Sequence, residues 1–388
     1  NKKDKIKFKE VEKMKKTIKL ISFFIVIAII TLILPIVSNA ETPITDENSL
    51  ISAISSADSG STVKLDSNIT VKAPIVIAKE LTIDGNGYTV TGSSEWTSTS
   101  GNQTMFTAQF SDAKLTLKNI NLQNGPKYGV QSYDGATVIL DNVSINGFKY
   151  GAVLANGGKV EVRKLHLGYN GTNANNGIEI DKGASATNNP TLVMNGTLTT
   201  DTNENVVRAA ENGHLTEFTV TNTENTTNKV VIAGGNVVLT DSENNIISET
   251  KVPEKATVNT DTQSVVITLI ANEQTNRIVV NLNETITADF LKTHIEIEEN
   301  YVIEGFYTDA QYTNEFNFSN PVSADTTIYA KISEAKQEVP ETTIPETTQP
   351  EKDETPKTGA ENYIVIAVLI AIISTIGIIN IKKKEKIG

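Results

Sequence analysis

Cysteine is absent from this 388-residue chain, and histidine occurs only three times. Without thiols the chain can form neither a disulfide nor a thiolate-bound metal site. Three histidines also disfavour a metal centre built from imidazoles. We therefore expect no metal and no other cofactor.

Positive charge is scarce outside the two ends of the chain. Residues 1–40 have a formal charge of +6 and residues 360–388 one of +2, which leaves −20 for residues 41–359. A region this acidic repels other polyanions. We therefore expect no nucleic-acid partner and no attraction to anionic lipid for the central part of the chain.

Three segments in the centre of the chain repeat one pattern. They begin at Leu115, Val138 and Val160, which are 23 and 22 positions apart, and each reads apolar-x-apolar, two polar residues, apolar-x-apolar. The same turn dipeptide follows each segment, as Asn124-Gly125, Asn146-Gly147 and Asn170-Gly171. Self-similarity at this period is typical of stacked repeats, which bury their apolar faces only against their neighbours.

Each repeat is interpreted as one coil of about three short strands. Alternating apolar residues turn one face of a strand inward, and strands of successive coils pair in parallel at about 4.8 Å. The two-residue break in the pattern marks a corner, where Asn119 and Asn142 tolerate the left-handed conformation and Lys164 departs from the rule. The residues before these corners would form a surface column of alternating charge: Lys118, Asp141 and Arg163.

Coils near 22 residues, Asn-Gly corners and the segment Leu81–Tyr88 (LTIDGNGY) resemble the right-handed β-helix of the pectate-lyase superfamily, over about Asp46–Asp241. The resemblance implies an all-β fold with a right-handed parallel β-helix, which we assign to residues 41–250. A helix at Asn48–Ala57 should cap the open N-terminal end. The later, less regular repeats are predicted to form two or three further coils that end near Ile247.

A second unit is predicted for residues 257–333. Its first half reads as a hairpin followed by a short helix with Thr287 as N-cap. Its second half, Tyr301–Lys331, resembles the Listeria–Bacteroides repeat of internalin B-type surface proteins, although Phe306 and Ile332 stand where that family usually has Trp. The resemblance implies a small β-grasp-like module that serves extracellular display and performs no chemistry.

Residues 1–40 have the pattern of an upstream extension followed by a signal peptide. A basic start after Met14 precedes an apolar run, Leu20–Val37, and small residues then allow cleavage between Ala40 and Glu41. The run is longer than is usual in a signal peptide, so an uncleaved membrane anchor is the alternative. Either outcome exports the chain.

The C-terminal residues combine a stalk with an anchor. Residues 334–356 are rich in Pro, Glu and Thr, a composition that stays extended and does not pack. Residues 355–388 carry an apolar run and a basic tail, and they begin with the pentapeptide Thr355-Pro356-Lys357-Thr358-Gly359. This arrangement resembles a Gram-positive sortase sorting signal, although that family usually has Leu in place of Thr355. N- and C-terminal hydrophobic helices are therefore expected at the two ends of the chain.

The resemblance implies that a sortase joins Thr358 to peptidoglycan, with the apolar run as a membrane span before sorting. Sortase, peptidoglycan and the membrane are therefore the expected partners of this end. The expected location is the extracellular cell wall of a Gram-positive bacterium. A plain C-terminal membrane anchor is the alternative.

Catalytic residues are sparse. A lyase or hydrolase on this fold needs clustered or paired carboxylates, and the superfamily's Asn-Thr-Asp, Asp-Asp and Gly-His-Gly signatures are missing from the predicted solenoid, residues 41–250. Asp141, Arg163 and His166 are the candidates that remain, because they combine lyase-like residue types on neighbouring coils. A surface ladder with one outward histidine explains them as easily. Trp96, in a polar insertion, could stack on a sugar or fold back onto the coil edge.

The sequence thus predicts a wall-anchored, adhesin-like binding protein for a glycan or a host or matrix ligand, without enzymatic activity. The alternatives are a polysaccharide lyase or another carbohydrate-active enzyme on the β-helix, and a passive spacer. Tyr128 and Tyr150, each followed by a glycine, could form an aromatic column that packs on the coil edge or binds sugar.

Overall fold

A computed structural model describes residues 42–171 and 177–335, which lie in one compact unit. The predicted signal peptide with its Ala40–Glu41 cleavage site, nearly all of the stalk, the sorting signal and both terminal hydrophobic helices lie outside these residues and remain predictions. Within the described ranges, no helix is long and apolar enough to span a bilayer.

The predicted N-terminal helix is present as α1 (Glu47–Ser56). A capping box begins it, in which Asp46 Oδ1 accepts a hydrogen bond from Ser49 N at 2.8 Å and Ser49 Oγ accepts one from Asp46 N at 3.0 Å. Leu50 and Ile54 are buried in the same hydrophobic core as the first strands. The helix therefore covers the end that a stack of strands would otherwise expose.

The next part of the chain forms coils whose short strands pair in parallel from coil to coil. In chain order these strands are β1 (Thr62–Lys64), β2 (Ile69–Val71), β3 (Ile75–Ile77), β4 (Glu80–Asp84), β5 (Thr89–Gly92), β6 (Phe106–Gln109), β7 (Lys114–Gly125), β8 (Tyr128–Tyr133), β9 (Thr137–Phe148), β10 (Gly151–Asn156), β11 (Lys159–Leu167), β12 (Ile178–Asp181), β13 (Thr191–Thr200), β14 (Val207–Ala209) and β15 (Glu217–Asn222). Strands β3, β6, β8, β10, β12 and β14 form one sheet, here called the narrow sheet, and the others form the broad sheet. The predicted parallel β-helix is confirmed.

The early coils each contain three short strands, as their pairing with the later strands shows. Strand β7 pairs through its first half with β4 and through its second half with β5, while β8 pairs with β6. In the later coils, two of these three strands are therefore continuous and form one bent strand.

One apolar column runs through the stacked coils. It consists of residues that are paired one to the next in register and are all buried: Leu81, Leu115, Val138, Val160, Leu192 and Val220. Full burial of one such side chain stabilises the fold by about 1.5–3 kcal/mol. The stacking predicted for the three central repeats is thus confirmed, and it extends beyond them on both sides.

The bent strands turn at the predicted asparagines. Asn119 and Asn142 have φ angles of 48° and 60°, in the left-handed region, and Asn142 Nδ2 donates to Asn119 Oδ1 at 2.9 Å. The third coil, which has Lys164 in place of Asn, differs from the other two, because a register shift there places Lys164 opposite Asp141. Arg163 instead donates from Nε to Glu161 Oε1 at 2.9 Å. The predicted charge column is therefore wrong at its third position.

The irregular coils predicted up to Ile247 are present through β13, β14 and β15, but the chain after Asn222 forms no further coil before Ile247. Strands β16 (Val230–Ala233), β17 (Asn236–Thr240) and β18 (Ile246–Lys251) form an antiparallel sheet. Gly234 and Gly235 turn the chain between β16 and β17 with φ angles of 55° and 75°. Val230, Val237 and Leu239 belong to the solenoid core. This sheet packs against the last coils, where Thr250 Oγ1 donates to Val207 O at 2.9 Å.

Strand β19 (Thr257–Thr260) then pairs in parallel with β15, so residues placed in the second unit by the sequence complete the broad sheet.

The second unit contains β20 (Ser264–Ala271), β21 (Gln274–Asn281), α2 (Ala288–Lys292), β22 (Tyr301–Tyr307) and β23 (Thr326–Glu334). The strand order is β21-β20-β23-β22, with a parallel pair in the centre and an antiparallel hairpin on each side, which is a β-grasp arrangement. Thr287 Oγ1 caps α2 by accepting from Phe290 N at 3.1 Å. The predicted hairpin, capped helix and β-grasp-like module are confirmed.

Candidate functional site

The outer face of the narrow sheet carries two rows of mainly polar side chains. Residues between the inward apolar positions of a strand point outward, and parallel pairing aligns them from coil to coil. One row is Thr107, Gln131, Leu154, Glu179 and Arg208, and the other is Gln109, Tyr133, Asn156 and Asp181. Residues that are distant in sequence therefore share one surface.

A groove of about 350 Å³ lies over β6, β8 and β10 on this surface. Its polar lining consists of four amides, two phenols, two hydroxyls and one ammonium group: Asn102, Gln109, Gln131, Asn156, Tyr128, Tyr133, Thr104, Thr107 and Lys127. Leu154 is apolar and lies in the middle of the row. Among the described residues that line the groove, none carries a carboxylate.

One wall of the groove is the polar insertion between β5 and β6. Asn102 Nδ2 donates to Thr107 Oγ1 at 3.1 Å, and Thr104 Oγ1 donates to Gln131 Oε1 at 3.3 Å. Gln131 is only 8% exposed, and its Nε2 has no protein acceptor in the described part of the chain. Nε2 is not fully buried, so water or a ligand in the groove can accept its hydrogen bond.

Trp96 anchors this wall. It is 8% exposed, belongs to the solenoid core, and donates from Nε1 to Gln103 Oε1 at 2.6 Å. The insertion has therefore folded back onto the coil edge, where Trp96 lines a separate small pocket, and ligand binding by Trp96 stays a prediction.

Two carboxylates follow directly after the groove. Glu179 is paired with Leu154 and Asp181 with Asn156 on the neighbouring strand. Glu179 is 5% exposed, and its oxygens accept from the Tyr128 hydroxyl at 2.5 Å and from Arg208 Nη2 at 2.7 Å. An ion pair with two hydrogen bonds is what a buried carboxylate requires.

Burial changes the acidity of this cluster. Burial, together with the charge of Glu179, raises the pKa of Tyr128 far above its usual value, so the hydroxyl keeps its proton and remains a donor. Burial and then the charge of Glu179 also raise the pKa of Asp181, which accepts a hydrogen bond from Asn212 Nδ2. The groove thus ends at two carboxylates, Glu179 and Asp181, that are largely shielded from water.

Aromatic side chains border the groove. Tyr128 and Tyr150 meet edge to face, with ring centroids 6.2 Å apart and an interplanar angle of 89°. Lys127 Nζ lies 5.7 Å from the Tyr150 ring centroid. The two tyrosines therefore form an edge-packed pair and not a face-to-face column.

Phe110 is the most unusual residue near these rows. It follows Gln109 at a corner where the next two coils have Asp134 and Gly157, and all three corner residues have positive φ angles, of 79°, 43° and 68°. A left-handed phenylalanine is strained by about 1–3 kcal/mol, and its side chain is 59% exposed. An exposed ring is thus held next to the row that contains Tyr133.

The catalytic candidates from the sequence lie elsewhere, on the broad sheet. His166 contacts Thr199 Oγ1 through Nδ1 at 3.1 Å and Asp201 Oδ2 through Nε2 at 3.6 Å. A shallow pocket of about 220 Å³ contains His166 but neither Asp141 nor Arg163. The three side chains therefore do not share this pocket, and a catalytic role for them stays a prediction.

No group of three or more His, Asp or Glu side chains among the described residues could hold a metal ion. A larger cleft, of about 930 Å³, lies where the antiparallel sheet meets the β-grasp module. Its surroundings are tied by contacts across the junction, such as His294 Nε2 to Glu243 O at 2.9 Å and the ion pair of Arg277 with Glu249. These contacts join the two units and point to no ligand.

Sequence reasoning missed most of the groove. Gln131, Glu179 and Asp181 are outward residues of short apolar strands, and nothing in the sequence distinguishes them from other polar residues at such positions. The available signal was the alternation itself in Gly177-Ile-Glu-Ile, where one acidic residue interrupts a buried strand. Such a residue needs partners from other coils.

A comparison with known families matches residues 41–153 to a "Putative pectate lyase-like adhesive domain". The matched range runs from before α1 into β10, so it includes the insertion, Thr107 and Gln131 but ends before Glu179 and Asp181. The description names adhesion and not catalysis. No curated protein matches the chain.

Proposed function

We propose that this chain is an exported adhesive protein of the cell surface and that it binds glycan in the groove of the narrow sheet. The observation that carries the proposal is the lining of that groove. Amide, hydroxyl and phenol groups surround a space of about 350 Å³, and the Gln131 amide, which is 8% exposed, has its Nε2 donor free for a ligand there. Glycans offer the complementary hydroxyl groups.

Adhesion is favoured over catalysis for two reasons. The matching family is described as adhesive, and glycoside cleavage needs an acid and a second carboxylate beside the scissile bond. The described lining has no carboxylate, and Glu179 is already occupied by Tyr128 and Arg208. Asp141, Arg163 and His166 stand apart. A polysaccharide lyase remains an outcome that the experiment must be able to detect.

The chain is, in this proposal, attached to the cell wall and displayed outside it. The export pattern before Glu41, the β-grasp module that resembles the Listeria–Bacteroides repeat, the stalk and the sorting pentapeptide all support a protein held away from a Gram-positive envelope. In this proposal a sortase joins Thr358 to peptidoglycan. The solenoid then presents its groove beyond the wall.

Binding is tested with purified residues 42–335 on arrays of glycans and matrix proteins. We expect saturable binding to glycans that is lost in Tyr133→Ala and kept in Tyr169→Ala, whose side chain is exposed and does not line the groove. Binding to matrix proteins alone would contradict the glycan proposal. Growth of unsaturated-uronate absorbance on polygalacturonate with Ca²⁺ would support a lyase.

Anchoring is tested separately by cell fractionation. Muramidase digestion should release the wild-type chain from the wall fraction, and Thr358→Ala should move it into the detergent-extracted membrane fraction. Recovery of the wild-type chain only in the detergent fraction would rule out covalent anchoring. That result would leave the glycan proposal unaffected.

A further inference from the structure

We infer that the groove accepts uncharged glycans and rejects uronate-rich ones, and that Asp181 is the residue that sets this preference. The inference rests on the proposed glycan-binding role and adds the class of ligand. It follows from the distribution of charge along the narrow sheet, where a lining without carboxylates is followed by a pair of them.

Asp181 lies next to the groove in strict register. Its strand partner Asn156 is a lining residue, and Glu179 is likewise paired with the lining residue Leu154. Adjacent parallel strands are about 4.8 Å apart, which is close to the length of one pyranose ring. A glycan that fills the groove and continues along the solenoid axis therefore meets this pair with its next sugar.

Glu179 contributes little charge to that encounter. Its side chain is nearly fully buried, and the guanidinium of Arg208 pairs with it at 2.7 Å. The hydroxyl of Tyr128 occupies its other oxygen. Its negative charge is therefore balanced within the protein.

Asp181 is balanced less directly, since burial raises its pKa and the charge of Arg208 only opposes that rise, without an ion pair between the two side chains. No Lys or Arg of the described chain forms an ion pair with it, and its side-chain donor is the neutral amide of Asn212. The ammonium group of Lys182, its neighbour in sequence, bonds instead to Asn189 Oδ1 at 2.9 Å. Burial, which also raises the pKa of Asp181, leaves the carboxylate with little water to screen a second negative charge.

Lys127 is the one cation among the described lining residues, and it stands two coils before Asp181. Its Nζ donates to Gly101 O at 2.7 Å and lies against the Tyr150 ring. A single uronate could pair with Lys127. A run of uronates would place another carboxylate beside Asp181, so the groove discriminates against the run.

The test uses the full chain in detergent micelles and an array of neutral oligosaccharides, each printed beside the same compound after oxidation of its C6 alcohols to carboxylates. We expect neutral members to bind and their oxidised counterparts to bind about tenfold more weakly, a difference that about 0.5 M salt reduces. Asp181→Asn should bring the oxidised forms to within about threefold of the neutral ones, since one repulsive charge is removed. Asp141→Asn removes a partly exposed carboxylate on the broad sheet and should change nothing.

The outcomes separate the two proposals. Equal binding of neutral and oxidised members by the wild-type chain would overturn the inference and leave glycan binding intact. A wild-type preference that persists unchanged in Asp181→Asn would overturn the role of Asp181. Absence of binding to every member would overturn the glycan proposal and the inference together.

Discussion

Tyr128 and Glu179 are 51 positions apart in the sequence, yet the Tyr128 hydroxyl donates to Glu179 Oε2 at 2.5 Å. The bond passes from β8 to β12 across the intervening strand β10 and closes over Leu154, which is only 7% exposed. It connects the groove lining with the buried ion pair of Glu179 and Arg208. Three coils are thus joined by one side chain.

Tyr128→Phe should lower the free energy of unfolding by about 1–3 kcal/mol, because a buried carboxylate loses one of its two protein donors. Urea unfolding at neutral pH measures the loss. Tyr169→Phe, at a side chain that is 65% exposed, is the matched control and should remain within about 0.5 kcal/mol of wild type. Equal stability of all three proteins would show that the bond contributes nothing.

Gln131→Leu should affect both binding and stability. The substitution keeps the volume of the side chain but leaves the buried hydroxyl of Thr104 without its acceptor, so the free energy of unfolding should fall by about 1–3 kcal/mol. Affinity for the glycan should fall about tenfold, which corresponds to one lost hydrogen bond of about 1.4 kcal/mol. Calorimetric titration and urea unfolding measure the two quantities. Gln123→Leu, at an exposed position on the broad sheet, should leave the affinity as it is; a similar loss there would contradict a specific role for Gln131.

At the Asn142 corner, a glycine variant should be more stable than an alanine variant, which is the reverse of the usual order within a strand. Asn142→Ala should destabilise the protein by about 1 kcal/mol more than Asn142→Gly, because only glycine adopts a φ of 60° without strain. Both variants lose the hydrogen bond to Asn119. At Ser144, two residues further along the same strand, glycine should be worse than alanine by about 0.5–1 kcal/mol. Thermal unfolding of the four variants checks the two orders, and the same order at both positions would contradict the argument.

The lowered pKa of Asp134 should make the stability of the folded protein depend on pH in the acidic range. Hydrogen bonds from the backbone of Asn188, and from Thr187, hold the pKa of Asp134 at about 2, against 3.8 in the unfolded chain. The ionised form is therefore favoured in the folded state. Its contribution to stability is complete above pH 3.8 and disappears as the pH falls through about 2.

Asp134→Asn should therefore be less stable than wild type at neutral pH, and the difference should shrink between pH 3.8 and about 2. Urea midpoints measured across this range test the prediction. Asp112→Asn, at an exposed aspartate in the preceding corner, is the control. A difference between Asp134→Asn and wild type that stays constant with pH would contradict the argument.

Much of the fold could be predicted from local chemistry. The apolar repeats at Leu115, Val138 and Val160 indicated stacked coils, and Thr287 marked the start of α2 as its N-cap. The antiparallel strands β16–β18 were predicted wrongly, because alternation gives the inward face of a strand but not the direction of its neighbour. Gly234-Gly235 between two apolar runs was the overlooked hairpin signal.

The sequence by itself determined that this chain must stack coil upon coil, because no single coil can bury the apolar face that the pattern gives it. Only the tertiary structure decided which polar residues share the groove. Outward residues such as Tyr133 and Asn156 lie on different coils and meet through strand register. Register is a property of the whole stack, since every coil must align with the one before it.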